Sequence, residues 1–297
     1  MGNSAPENLN QQATAINLDR NRLYLDCYRY MQSEKLQLPT IPDISFKIRR
    51  AINDDKANNA KIARVVQMDP SITARLIKIS NSPLYRGRRK IESCPEALTR
   101  LGLKASQDII TAFAMKAVFT AKSPIIRRKM GELWSHSSYV AAISAVFAHK
   151  TPGFDPDKAM LAGLIHDIGV VPILTHADKH PNIISHPKDL AQTIKKLRVD
   201  IGVQIIRKWD FSSDFEQVII NAENWHRDDH KGADYSDIVM ISQLHSYIGK
   251  IDLKKMPKLD TLPAYKKLLA GNLDADTSIN ILDQAKDEID HILQMLN

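Results

Sequence analysis

Apolar residues recur along this chain at the three- and four-residue intervals of a helix face, and no stretch shows the strict alternation of a half-buried strand. The pattern predicts a first helix over about 19–34, carrying Leu23, Leu25, Cys27 and Met31. Pro39 and Pro42 then impose extended chain before a helix near 43–53. Ile62, Val65, Val66 and Met68 form one apolar face. Asp69-Pro70 restarts the chain, with aspartate as N-cap and proline at the first helical position. Ile72, Leu76, Ile77 and Ile79 give that helix its buried stripe, and Asn81-Ser82-Pro83 stops it. Further helices are predicted at about 94–101, 105–121, 124–150, 156–172, 188–208, 212–226, 234–250 and 277–296. The last would bury Ile281, Leu282, Ala285, Ile289, Ile292 and Leu296, against its own domain or a second copy. The fold class is therefore all-α.

Composition divides this helical chain in two. The net charge is +7, but residues 45–129 hold 19 Lys or Arg against 6 Asp or Glu, so the remainder is acidic. The expected organisation is a flexible N-terminus over 1–18, a basic helical subdomain over 19–122, a second helical bundle over 123–250, and a C-terminal extension over 251–297. A basic half can attract nucleic acid, nucleotides or an acidic protein surface, or it can simply present solvated helix faces. Its densest cluster holds Arg86, Arg88 and Arg89 on a predicted loop, with only Tyr85 beside it for stacking. No apolar run approaches the roughly 20 residues that cross a bilayer. The N-terminus shows no secretory signal, and Pro6 breaks the myristoylation pattern. Cys27 and Cys94 form no ligand motif and read as reduced thiols of a cytoplasmic protein.

The chemistry concentrates in LIHDIG, residues 164–169. The surrounding AMLAGLIHDIGVVPIL reads as one helix buried on most faces, where unpartnered His166 and Asp167 would be costly to desolvate. A divalent metal would supply a partner, because imidazole nitrogen and carboxylate oxygen are both good ligands. His176, His180 and His186 fall in the proline-bearing stretch THADKHPNIISHP and read as solvated loop residues. There is no Walker loop, no dinucleotide glycine motif and no arguable Ser-His-Asp pattern.

LPTIPDI (38–44), DPSITARLIKISNSPLY (69–85) and EALTRLG (96–102) together resemble the HDOD domain, a bacterial signalling module related to the HD and HD-GYP phosphohydrolases. The resemblance continues through LWSHS (133–137) and LIHDIG, and more loosely through WDF (209–211) and NWHRDD (224–229). It implies an N-terminal helical subdomain leaning on an HD-like bundle. In active relatives a lone His, the His-Asp pair and a distant Asp hold metal. Here His136, His166 and Asp167 match the first three, while Gln243 stands at the distant position. The resemblance also implies losses: Val170 replaces a catalytic lysine, and Arg198 and Arg227 replace histidines of a second metal, although His226 is kept as a pocket candidate. Two-ion hydrolysis is not expected from this set. Two readings stay open: one divalent ion (Fe, Mn, Ni or Zn) on His136, His166 and Asp167 with water or Gln243, or a remnant hydrogen-bonded core. The leading functional expectation is a non-catalytic regulator that acts through another signalling protein. The alternatives are a single-ion phosphohydrolase and a nucleic-acid or nucleotide binder using Arg86, Arg88 and Arg89. No sensor or receiver sequence is recognisable, so the signal is expected to pass through another chain.

Overall fold

Capping residues write half of the helix starts into this sequence, and the computed structural model, which describes residues 21–54, 58–179, 187–229, 232–248, 257–269 and 281–297, shows them in use. Among the described residues there are fourteen α-helices and no strand. The first six are α1 (Arg22–Gln32), α2 (Asp43–Ile52), α3 (Asn59–Gln67), α4 (Pro70–Ser80), α5 (Cys94–Leu101) and α6 (Leu103–Ala114). A 3₁₀ turn, Met115–Val118, ends this set. The carboxylate of Asp69 accepts from the Ser71 and Ile72 amides at the start of α4, and Ser93 caps α5 in the same way through Glu96. At the far end of α4 the Asn81 amide donates to Ile77 and Ile91 carbonyls and accepts from the Ile91 amide, pinning both ends of the basic loop.

The 27-residue helix α7 (Pro124–Lys150) is the axis of the second set. Around it lie α8 (Pro156–Ile165), α9 (Val170–Asp178), α10 (Pro187–Lys208), α11 (Ser213–Asn221) and α12 (Tyr235–Ser246). Two short helices follow in the described chain, α13 (Pro263–Leu269) on α12 and α14 (Lys286–Leu296). The α14 helix buries Ile289, Ile292, Met295 and Leu296 against α7 and also touches α4 and α6, so within the chain it packs on its own domain. Polar bonds hold its end: Arg75 donates to the Met295 carbonyl at 3.0 Å and the Trp134 indole to the Asn297 side chain at 2.8 Å. Its predicted start at Thr277 lies outside the described residues.

Four features differ from the sequence reading. The first helix packs mainly on α10 and α9, with the Asn21 amide donating to the Asp189 carbonyl, rather than on α2–α6. The helix predicted over 156–172 breaks after Ile165 and restarts at Val170. His176 is not in a solvated loop. It lies buried on α9 with its ring edge-on to Tyr30 at 5.2 Å, while His180 and His186 fall outside the described residues. Residues 156–178 are also long and apolar enough to cross a membrane, contrary to expectation, but they lie almost wholly inside the core, where protein satisfies that surface. Cys27 and Cys94 are unpaired and buried; burial pushes their thiols up to about 12 and about 11.

Candidate functional site

The break between α8 and α9 builds the pocket. A Cβ on Gly169 would fall 1.9 Å from the Arg198 carbonyl oxygen and 2.7 Å from the Gly202 amide, so the turn lies directly on the α10 backbone. Gly163 does the same on the other side, where a Cβ would lie 2.9 Å from the Ala141 Cα of α7. Pro172 sits in the first turn of α9, where its missing amide hydrogen has no intrahelical acceptor to lose. The two close approaches carry His166 to α7 and Asp167 to α10.

On α7 the half-buried His136 meets His166 edge-to-face, with ring centroids 5.2 Å apart. The opposite face of the pocket is Tyr247, whose ring stacks on His136 at 5.4 Å and 12°. His166 Nδ1 lies 2.7 Å from the Gly163 carbonyl oxygen. A carbonyl only accepts, so Nδ1 carries the hydrogen, and Nε2 faces the Asp167 Oδ2 at 3.4 Å. Asp167 gives its other oxygen, Oδ1, to the Arg198 guanidinium, which reaches on to Glu223 at 2.5 Å. Burial alone would raise the Asp167 carboxyl, but His166, Arg198 and His136 outweigh it and hold the group well below the usual carboxylate range. Gln243 is fully buried; its amide donates to the Tyr247 hydroxyl at 3.2 Å, and its Oε1 has no hydrogen-bond partner. Burial pushes the Tyr247 phenol up.

These residues fit one ion. His136, His166 and Asp167 each offer a ligand atom, and those atoms lie within 4.8 Å of one another, the sole such group among the described residues. The 3.4 Å from His166 Nε2 to Asp167 Oδ2 is the edge of a tetrahedron about an ion roughly 2.1 Å from each. The Gly163 carbonyl fixes the orientation of His166. They do not fit two. The Arg198 guanidinium already binds the Asp167 carboxylate, and Val170 is buried with no amine to offer.

The other candidates lie elsewhere. His226 is exposed and outside this group. Its neighbour Arg227 is buried and paired with Asp229 and Asp234, each at 2.7 Å, which fastens the capped start of α12. Arg86, Arg88 and Arg89 are exposed, and Arg89 pairs with Glu96 at 2.6 Å. Tyr85 does not stack beside them: it turns inward to Asp157. Tyr247 and Glu223 were missed. Tyr247 stands four residues after Gln243, a helical neighbour spacing that could have pointed to it; nothing local marks Glu223.

An all-helical bundle that gathers a histidine from one helix and a His-Asp pair from a turn against another is an HD-type architecture. The HDOD domain profile matches residues 38–225, and the chain belongs to the HDOD family. It is similar to a crystal structure from Shewanella amazonensis provisionally named a metal-dependent phosphohydrolase, at 24% identity, 93% of this chain, 98% of that one and a TM-score of 0.78. It is also similar to a Marinobacter aquaeolei structure provisionally named a signal transduction protein, at 18% identity, 95% of this chain, 68% of that one and a TM-score of 0.58. At these identities the likeness concerns the fold. An uncharacterized protein of Treponema pallidum is 23% identical over 218 residues, 68% of this chain; the match spans 40% of that protein's length.

Proposed function

We propose that this HDOD protein is a regulator that acts by binding another protein, and that its HD pocket does not hydrolyse phosphate esters. One observation carries the reading: Arg198, bound to both Asp167 and Glu223, occupies the Asp167 carboxylate with a fixed cation. Hydrolysis of the two-ion type needs a second metal to hold the leaving or attacking oxygen, and here a fixed cation stands against the carboxylate beside the first site. The neutral Gln243 and the apolar Val170 remove further negative charge and proton-donating capacity from the same place. The signalling name of the Marinobacter relative agrees with the regulatory half of the proposal.

The second reading, a single-ion phosphohydrolase, is favoured by the His166 orientation and the 4.8 Å grouping. A divalent ion held by His136, His166 and Asp167 would supply Lewis acidity there. The chain's own contribution is to orient His166 through its Nδ1 contact with the Gly163 carbonyl, so that Nε2 faces the pocket, and to keep Asp167 ionised.

One experiment separates the readings. Metal content per chain is measured by mass spectrometry, on protein purified without chelator or metal-affinity tag, beside His166→Ala. Cyclic dinucleotide and nucleotide turnover are assayed on the same samples. The expected result is well under one ion per chain and no turnover above buffer. Near-stoichiometric metal with turnover, both lost in His166→Ala, would establish the hydrolase instead.

A further inference from the structure

A second group of ionisable side chains lies away from the HD pocket, where the connection after α4 and the helix α6 meet α8. Tyr85, from that connection, donates its hydroxyl to the Asp157 carboxylate in the first turn of α8, across 72 residues of sequence. Asp157 and Asp108, the latter in the middle of α6, are each only 4% exposed. Asp108 Oδ2 has no hydrogen-bond partner. Asp155 caps α8 through the Asp157 and Lys158 amides, and its own amide donates to the Tyr235 hydroxyl at 3.0 Å. Three carboxylates therefore share one seam, and two of them are shut away from water.

We propose that Asp108 and Asp157 form a proton-operated latch between α6 and α8, closed when both are protonated and loosened when both ionise. The cations within reach do not neutralise them. Lys158 is committed to Asp214 of α11 and lies over the Tyr235 ring at 4.7 Å. Arg49 of α2 is held by the Asp210 carbonyl and lies over the Phe211 ring. Lys104, on α6 itself, acts on Asp108 from an exposed position. Facing Asp157 are the Tyr85 phenol, which favours its charged form, and Asp155 and Asp108, which oppose it.

The result is a pair of acids poised near neutrality. Burial pushes Asp157 up to about 7, with Asp155 and Asp108 adding to the effect. Burial likewise pushes Asp108 up to about 6. Both lie above the unfolded value of about 3.9. The folded chain therefore keeps protons that the unfolded chain releases, and the stability this gives is complete below about pH 4 and lost as pH rises through 6 and 7. The same helix that carries Asp157 in its first turn ends at Ile165, immediately before His166, so the latch sits on the element that positions the pocket.

Thermal unfolding of the full chain, Asp157→Asn and Asp108→Asn at pH 5 and pH 8 tests the proposal. Asparagine keeps the size and cannot ionise. At pH 8 each variant is expected to melt several degrees above the parent, and at pH 5, where the unfolded acids have only begun to lose the protons that the folded ones keep, the advantage should be clearly smaller. A variant-to-parent difference that is the same at both pH values would overturn the latch. This differencing also removes His245, a buried imidazole lowered to about 4 that titrates equally in all three proteins. Should either variant fail to fold, amide hydrogen exchange on the parent decides, after correction for the intrinsic rate. Faster opening of α6 and α8 at pH 8 is expected, and equal opening at both pH values would sink the idea.

Discussion

Replacing Gly169 by alanine should destabilise the protein by at least about 3 kcal/mol, beyond the usual range for overpacking. A Cβ there would lie 1.9 Å from the Arg198 carbonyl oxygen, 2.8 Å from the Arg198 carbonyl carbon and 2.7 Å from the Gly202 amide. None of these atoms belongs to a flexible side chain. Relief requires α10 to withdraw from the turn, and α10 cannot move freely because α1, α9 and α11 all pack on it. Gly202 is itself confined, since a Cβ there would meet Ile219 at 2.8 Å. Urea denaturation should show the midpoint falling with the slope unchanged. Gly131 is the control: nothing lies within 4 Å of its added Cβ, it sits in the exposed part of α7, and alanine there should be neutral or mildly stabilising. If Gly169→Ala proved as mild as the control, the close contact that positions Asp167 would not exist in solution.

That contact also shows where sequence reasoning ended. Helix starts were legible wherever a capping residue precedes a proline, as at Asp69-Pro70, Ser123-Pro124 and Asp155-Pro156, because the cap and the missing amide hydrogen are local chemistry. The break at 166–169 was not legible. The apolar run continues straight through it, and hydrophobicity reports burial rather than the path of the backbone. The amphipathic face of α1 could be read from Leu23, Cys27 and Met31, but not its partner α10, since an apolar stripe does not name what covers it. In the pocket, His136, His166 and Asp167 came from the family resemblance, and the structure does gather them. Arg198 could be seen as a lost histidine, yet its bond to Asp167 spans 31 residues and had no local signature. The Tyr85–Asp157 bond is hidden for the same reason.

Removing the Arg198 guanidinium should turn the pocket toward metal. In Arg198→Ala the Asp167 carboxylate, only 13% exposed, loses its paired cation while His166 Nε2 remains 3.4 Å from its other oxygen. Breaking a buried pair from one side leaves an uncompensated charge, so the metal-free variant should lose about 3 kcal/mol of stability. The same change removes a positive charge that repels any ion bound beside it. At an effective dielectric near 20, two unit charges about 4 Å apart interact by roughly 4 kcal/mol, so divalent affinity should rise by at least about tenfold even after screening. Titration calorimetry with Mn²⁺ or Zn²⁺ on parent, Arg198→Ala and Arg198→Lys reads this without reference to turnover. Arg198→Ala should bind more tightly than the parent, and saturating metal should restore much of its lost melting temperature. Arg198→Lys keeps the charge and should stay close to the parent. Equal affinity in all three would mean that Arg198 does not govern the ion site, and the case for a pocket closed to two-ion chemistry would then rest on Gln243 and Val170 alone.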